Sequence, residues 1–165
     1  MHDDSASLIA CIPRLRRYAR ALLADRASAD DLVQDTMERG WNKLASWRRG
    51  SDMRAWLFSI MHNLHVDQQR RPALPTVELS DDLPLSTPHS DRLEIRDMQA
   101  ALQLLPDEQR EVLLLVALEE MSYEEAAAVL HIPPGTVMSR LSRARERLRL
   151  LMLGQAPAST LKVVK

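Results

Sequence analysis

Residues 122–151 constrain the fold of this chain most strongly, because they predict two helices joined by a tight turn. Ser122 is a favourable N-cap, and Glu125, three residues later, completes a capping box. Two prolines at 133–134 end the first helix, since proline lacks the backbone N–H that a continuing helix needs. A second helix is predicted to start near Thr136. This arrangement is typical of a helix-turn-helix, whose second helix enters the DNA major groove.

The second helix of this motif has one apolar stripe and an arginine-rich remainder. Its apolar residues recur every three or four positions, as expected for one helix face: Val137, Leu141, Ala144, Leu148 and Leu151. Five arginines lie largely off that stripe: Arg140, Arg143, Arg145, Arg147 and Arg149. The pattern indicates a helix that packs on one side and presents basic side chains on the other.

Composition favours an all-helical protein that can bind nucleic acid. Glycine is scarce, with 4 residues, aromatic residues make up 4% of the chain, and Leu, Ala, Arg and Glu dominate. The net charge of −1 hides a strong segregation of charge. Residues 97–134 have one basic and eight acidic side chains, whereas residues 135–165 have seven basic and one acidic. The local basic segment therefore matters more for DNA binding than the overall balance.

Several functional classes are not supported by the sequence. The single cysteine, Cys11, excludes an intrachain disulfide and is predicted to be a small core residue. No apolar run approaches the ~20 residues of a membrane span, and the N-terminus lacks a signal-peptide pattern. We therefore expect a soluble, cytoplasmic protein. No catalytic constellation or glycine-rich phosphate loop is evident, so we predict neither an enzyme nor a cofactor nor a small-molecule substrate.

Two histidines have a spacing that metals can use. His62 and His65 lie three residues apart on a predicted helix, but no third ligand is evident in the sequence. We therefore predict a structural or DNA-contacting role for them and no metal site.

The first half of the chain is predicted to contain three helices, at residues 5–25, 28–44 and 53–71. Ser28 is predicted to cap the second of them. Trp56 and Phe58 in the third fit either a core or a surface on which nucleic-acid bases stack. Four arginines of the first helix fit either a solvated face or a partner contact: Arg14, Arg16, Arg17 and Arg20.

The predicted fold is all-α, with two small helical domains joined by a flexible linker. Residues 72–91 contain four of the nine prolines, four acidic side chains and neither Lys nor Arg, which indicates an extended acidic linker. It separates an N-terminal domain at residues 1–71 from a helix-turn-helix domain at residues 92–153. Residues 154–165 are predicted to be a disordered tail.

Three segments together resemble the extracytoplasmic-function (ECF) sigma factors of the sigma-70 family. They are ADDLVQDTMERGW at 29–41, MRAWLFSIMHNLHVDQQRR at 53–71, and the long block at 104–151 that ends in the helix-turn-helix. A helix-turn-helix alone is common, but the three segments in this order, with a Pro-rich linker between the second and third, are specific.

The resemblance implies that the N-terminal domain binds core RNA polymerase and the −10 promoter element. Docking on the clamp helices of the largest polymerase subunit is implied for five residues: Asp31, Gln34, Asp35, Glu38 and Arg39. In the −10 segment, Asn63 falls where the family captures a flipped base. Trp56 would support that loop, and Arg70 and Arg71 would hold phosphates.

The resemblance also implies that the C-terminal domain reads the −35 element. Four residues would meet base edges: Met138, Ser139, Ser142 and Arg143. Three would contact phosphates: Thr136, Arg140 and Arg145. Two residues depart from the family pattern. His131 stands where glycine is usual and must adopt a left-handed conformation, while Met138 can offer only apolar contact, for example to a thymine methyl group.

The implied partners are core RNA polymerase, promoter DNA and an anti-sigma factor, which in this family is often membrane-bound. The implied location is the cytoplasm and nucleoid, or the membrane when such an anti-sigma factor holds the protein. The acidic linker would enter the polymerase channel or serve as a plain tether. Two alternatives remain: a stand-alone helix-turn-helix regulator that binds an operator as a dimer, and a sigma mimic that sequesters an anti-sigma factor. The arginine-rich helix and the lack of a receiver domain in the sequence argue against the mimic.

Overall fold

The computed structural model describes residues 4–71 and 90–154. These two ranges contain eight α-helices, a short 3-10 helix, a π-helical turn and no β-strand. The helices are α1 (Asp4–Ala10), α2 (Ile12–Leu22), α3 (Arg26–Asn42), α4 (Met53–Arg70), α5 (Ser90–Leu104), α6 (Asp107–Leu113), α7 (Tyr123–Leu130) and α8 (Pro134–Gly154). The all-α prediction is confirmed. Nearly all of the predicted linker 72–91 and tail 154–165 lies outside the described residues.

The first predicted helix, at residues 5–25, is two helices. Helix α1 ends at Ala10 and α2 begins at Ile12, with Cys11 between them. Pro13 explains the break, because it has no N–H to donate to the carbonyl group four residues earlier and its ring crowds that carbonyl. The Cys11 backbone joins the helices, donating to Leu8 O at 3.1 Å and accepting from Leu15 N at 3.0 Å.

Helix α3 begins two residues earlier than predicted, because Asp25 caps it instead of Ser28. The Asp25 carboxylate accepts hydrogen bonds from the backbone of Ala27 and Ser28, each at 3.2 Å. The Ser28 hydroxyl donates to the same carboxylate at 2.6 Å. The prediction that Ser28 is the N-cap was therefore wrong. Burial of Asp25 is negligible, and its hydrogen bonds from Ser28 lower the pKa of the carboxyl group.

The helix-turn-helix follows its sequence signals closely. Ser122 and Glu125 form the predicted capping box. His131 ends α7 in the left-handed conformation, with φ 58° and ψ 42°, as predicted for this turn position. Helix α8 begins at Pro134 rather than near Thr136, because a proline in the first helical turn loses no hydrogen bond. The buried side of α8 consists of Val137, Leu141 and Ala144.

Replacing Ser122 with alanine is expected to lower the free energy of unfolding by about 1 kcal/mol, since it removes the acceptor for the Glu125 N–H. Urea unfolding followed by circular dichroism measures the change. Ser142→Ala is the matched control, because Ser142 is exposed within α8 and caps no helix. Equal destabilisation by both variants would contradict a specific capping role.

The two halves of the described chain pack against each other. We call residues 4–71 the N-terminal half and residues 90–154 the C-terminal half. Helix α4 contacts α7, and α2 contacts both α5 and the π-helical turn at Leu114–Leu118. Buried side chains of both halves belong to one continuous apolar cluster, which includes Phe58, Leu115 and Leu141. The faces of α3, α4 and α8 that carry the predicted site residues are held by this core.

Candidate functional site

Helix α3 presents one exposed polar face that contains every residue predicted to bind polymerase. Asp31, Gln34, Asp35 and Glu38 recur every three or four positions and share this face, and Arg39 adjoins it; all are exposed. The opposite face is buried through Leu32, Val33 and Thr36. The fold therefore gathers the predicted residues into a single surface, which we call the α3 polar row (Asp31, Gln34, Asp35, Glu38 and Arg39).

A cleft lies between the α3 polar row and the last turns of α4. Its cavity volume is about 440 Å³. Asp35, Glu38 and Arg39 line it from α3, and Asp67, Gln68 and Arg71 line it from α4 and its C-cap. The cleft thus joins the predicted polymerase-binding residues to Arg71, one of the two arginines predicted to hold phosphates.

The residues predicted to act on the −10 element are spaced along one side of α4. Trp56, Asn63 and Arg70 are seven residues apart, which is close to two helical turns each. Trp56 is half-buried against the core, whereas Asn63, Arg70 and the C-cap residue Arg71 are exposed. This burial fits the predicted supporting position of Trp56 better than that of a free stacking surface.

Helix α8 exposes most of the residues predicted to read the −35 element. Met138 is 53% exposed. Ser139, Ser142, Arg143 and Arg145 are also exposed. The Arg143 guanidinium donates to the carbonyl and hydroxyl oxygens of Ser139, each at 3.2 Å, which holds the arginine along its own helix.

The predicted phosphate contacts on α8 are less uniform. Thr136 and Arg140 are half-buried, and the Arg140 guanidinium lies 3.6 Å from the Glu108 carboxylate of α6. Arg145 is exposed and lines a shallow cleft with Tyr123 and Met138. Arg145 is therefore more accessible to a DNA backbone than Arg140 in this arrangement.

The sequence did not reveal a set of polar contacts that joins the two halves. The Glu119 carboxylate is fully buried and pairs with Arg17 of α2 at 3.1 Å. The carbonyl of Glu119 accepts from Arg54 of α4 at 2.7 Å, and Arg54 also lies 3.5 Å from Glu125. Glu119 is therefore a buried acid that lies between the two halves and is neutralised by Arg17.

Arg110 joins the C-terminal ends of two helices from different halves. Its guanidinium donates to Leu102 O and Leu105 O at 2.8 Å and to Gln103 O at 3.1 Å, all at the end of α5. It also donates to Leu22 O of α2 at 3.2 Å. Carbonyls at a helix end lack intrahelical partners, so this one side chain satisfies groups of both halves.

Two histidines of α4 meet two carboxylates of α6 across the same boundary. His62 Nδ1 lies 2.8 Å from Glu111 Oε1, and His65 Nε2 lies 2.9 Å from Asp107 Oδ1. Burial lowers the pKa of His65, but the hydrogen bond and charge of Asp107 outweigh it, so the pKa is raised overall. Burial raises the pKa of Asp107, but His65 and Arg110 outweigh it, so this pKa is lowered overall. The His65–Asp107 contact is therefore an ion pair over a wider pH range than an exposed pair.

Comparison with known proteins identifies the family. Two family models match, the sigma2 domain of PhyR over residues 8–62 and sigma-70 region 4 over residues 95–148. The ECF RNA polymerase sigma factor EcfG of Rhodopseudomonas palustris is 39% identical over 157 residues, which cover 92% of this chain and 84% of that protein. The chain belongs to the ECF sigma factors. The family resemblance inferred from the three sequence segments is confirmed.

Two solved structures have a similar fold. The sigma factor RpoE in complex with the anti-sigma factor NepR, from Bartonella quintana, has a TM-score of 0.69 and 32% identity, with 98% of both chains covered. CnrH in complex with the cytosolic domain of CnrY has a TM-score of 0.70 and 29% identity, over 93% of this sigma factor and 89% of that chain. Within residues 4–71 and 90–154, none of the helices is long and apolar enough to cross a membrane.

Proposed function

We propose that this sigma factor is the promoter-specificity subunit of a bacterial RNA polymerase. Residues 1–71 bind core polymerase and the −10 element, and residues 92–153 bind the −35 element. The observation that carries the proposal is the presence of two exposed surfaces of different chemistry on one chain. The α3 polar row and the exposed Asn63 belong to the N-terminal half, whereas the arginine-rich side of α8 belongs to the C-terminal half. Polymerase performs the chemistry, and the sigma factor contributes binding and positioning.

The α3 polar row is suited to a basic protein surface. Three of its five members are carboxylates, and they accept charge-assisted hydrogen bonds from arginine or lysine. Opposite charges also speed the encounter with a large partner. The row therefore provides the main docking contact with core polymerase.

The exposed side of α4 is suited to trapping a base from the melted −10 strand. The Asn63 side chain offers a hydrogen-bond donor and an acceptor together, which match the edge of an extruded base. Trp56 packs against the core and supports the helix, and Arg70 and Arg71 neutralise nearby phosphates. Capture of the flipped base offsets the few kcal/mol that unstacking costs.

The two halves must separate when both promoter elements are bound. The −10 and −35 elements are centred about 25 base pairs apart, which is roughly 85 Å at 3.4 Å per base pair. In the described arrangement α4 packs on α7, and α7 packs on α8, so the two DNA-reading helices belong to one body. Binding to core polymerase and promoter therefore breaks the polar contacts of Glu119, His62 and His65 with the opposite half.

The contacts of α8 with DNA can be separated into base reading and phosphate binding. Arg143→Ala is expected to reduce discrimination between a matched and a mutated −35 element by about 1–3 kcal/mol, since a bidentate arginine reads guanine. Arg145→Ala, the matched control, is expected to weaken binding evenly across sequences and to reduce the salt slope by about one unit. Competition binding with holoenzyme measures both effects. A uniform loss for Arg143→Ala would instead identify it as a phosphate contact.

An anti-sigma factor is the proposed regulator. RpoE, whose fold is similar, was solved in complex with the anti-sigma factor NepR, and CnrH in complex with the cytosolic domain of CnrY. A partner of that kind would cover the surfaces that bind polymerase, and it would hold the sigma factor at the membrane if it is membrane-bound. The proposed location of the free protein is the cytoplasm.

Run-off transcription with purified core polymerase tests the proposal. We expect a specific transcript from a cognate promoter only when the sigma factor is added. A stand-alone regulator would bind duplex DNA tightly as a dimer and give no transcript. The match of residues 8–62 to the sigma2 domain of PhyR keeps a sigma mimic as the second candidate. A mimic would bind an anti-sigma factor but neither core polymerase nor DNA.

A further inference from the structure

Helices α4 and α6 bring four metal-ligand side chains together at the boundary between the halves. His62 and His65 come from α4, and Asp107 and Glu111 come from α6, one helical turn apart. The side chains of His65 and Glu111 are 2% and 6% exposed, and those of His62 and Asp107 are 14% and 26% exposed. From the sequence alone we predicted no metal site, because no third ligand was evident beside the two histidines; the fold adds two carboxylates to them.

We propose that His65, Asp107 and Glu111 bind one divalent metal ion of the zinc class, and that His62 positions the Glu111 carboxylate. One ligand atom from each of the three residues lies within 4.8 Å of the other two. Bonds of about 2.0–2.2 Å place the ligands of a tetrahedral ion roughly 3.4 Å apart, so small side-chain movements suffice. A water molecule completes the fourth position, as in zinc sites that have three protein ligands.

The ligand set selects the class of ion. Imidazole nitrogen suits zinc and its first-row neighbours, whereas calcium takes six to eight oxygen ligands, more than two carboxylates provide. Only a neutral imidazole coordinates a metal, so binding displaces the proton that His65 shares with Asp107, and the charges of Asp107 and Glu111 then offset the charge of the ion. His62 lies 2.8 Å from Glu111 Oε1 and fixes the direction of that carboxylate, as outer-shell partners of metal ligands do.

Arg110 limits the affinity of this site. Its guanidinium lies 3.4 Å from Asp107 Oδ1 and repels a second cation nearby. Its hydrogen bonds to the Leu102, Leu105 and Leu22 carbonyls fix its position and disperse part of its charge. We therefore expect weaker binding than at cysteine-rich structural zinc sites.

The ion links the two halves, because its ligands come from both. The site is complete only while α4 and α6 are in contact, so ion binding favours that contact by mass action. If the proposed function holds, the ion therefore disfavours the separated state that binds promoter. This consequence depends on the proposed function, whereas metal binding itself can be measured without polymerase or DNA.

Cobalt titration of the tag-free, chelator-treated full chain tests the site. We expect one Co²⁺ to bind per chain and to give the visible absorption bands of a four-coordinate ion. Added Zn²⁺ should displace Co²⁺ and abolish these bands. Asp107→Asn and His65→Ala are each expected to weaken binding at least about tenfold. Asp107→Asn keeps the shape of the side chain, so it is expected to disturb folding less than His65→Ala does. Circular dichroism checks that its helix content equals that of wild type. In the same samples, Zn²⁺ is expected to raise the Tm of wild type but not of Asp107→Asn.

His131→Ala is the matched control. Its ring centroid lies 6.2 Å from that of His62, but it belongs to neither the ligand set nor the His62–Glu111 contact. It should bind Co²⁺ as wild type does. The proposal is overturned by absence of saturable binding, by wild-type binding in Asp107→Asn, or by equal losses in His131→Ala and His65→Ala. The last result would indicate adsorption to surface histidines.

Discussion

Replacing Asp35 with arginine is expected to weaken binding to core RNA polymerase at least about tenfold, which corresponds to roughly 1.4 kcal/mol. Asp35 is exposed in the middle of the α3 polar row, between Gln34 and Glu38, and it also lines the cleft toward α4. A basic docking surface on the polymerase attracts the Asp35 carboxylate. The same surface repels an arginine at this position. Affinity measured with purified core polymerase and no DNA gives the change directly.

Two further variants separate charge from general disturbance of the protein. Asp35→Asn keeps the shape of the side chain and should cause a smaller loss than Asp35→Arg. Glu124→Arg makes the same change in net charge at an exposed residue of α7, and it should bind core polymerase nearly as wild type does. Unchanged affinity in Asp35→Arg would exclude this surface as the docking site. Equal losses in the two arginine variants would indicate unspecific electrostatics.

Local signals in the sequence predicted the helix-turn-helix well. The capping box at Ser122 and Glu125 depends on residues three apart, so it can be recognised without the rest of the fold. The buried side of α8 follows from helical periodicity alone. The left-handed conformation of His131 followed from the family resemblance, because glycine is usual at this position of the turn.

Errors arose where two local signals competed. Asp25 and Ser28 are both good N-caps, and the choice depended on which carboxylate or hydroxyl could reach the free N–H groups. The apolar stripe of residues 5–25 continues across Pro13, so periodicity predicted one helix where the missing proline N–H makes two. Both errors moved helix ends and left the exposed faces of α3 and α4 unchanged.

The contacts between the halves could not be predicted from sequence. Arg17 and Glu119 are 102 residues apart, and His65 and Asp107 are 42 residues apart, so no local pattern pairs them. Their pairing depends on how α2 and α4 pack on the C-terminal half. This explains why the sequence offered no third ligand beside His62 and His65.

Asn63→Ala is expected to reduce the stability of the open complex by about 1–3 kcal/mol, while closed-complex binding stays close to wild type. The extruded base loses the donor and acceptor of the Asn63 amide, and these contacts form only after the base leaves the stack. Asn63 is exposed and forms part of no described helix cap, so the substitution should leave the fold intact. Permanganate footprinting of unpaired thymines measures opening, and mobility shifts at low temperature measure closed binding.

Gln68→Ala is the matched control for this variant. Gln68 is an exposed amide on the same helix, five residues further along, and it lines the cleft with Asp35, whereas Asn63 does not. It should leave promoter opening unchanged, because its amide is directed toward the polymerase-binding side. Equal losses of closed and open complexes in Asn63→Ala would identify Asn63 as a duplex contact. A selective loss of opening would instead mean that α4 acts after strand separation, when α8 already holds the −35 element and the two halves are apart.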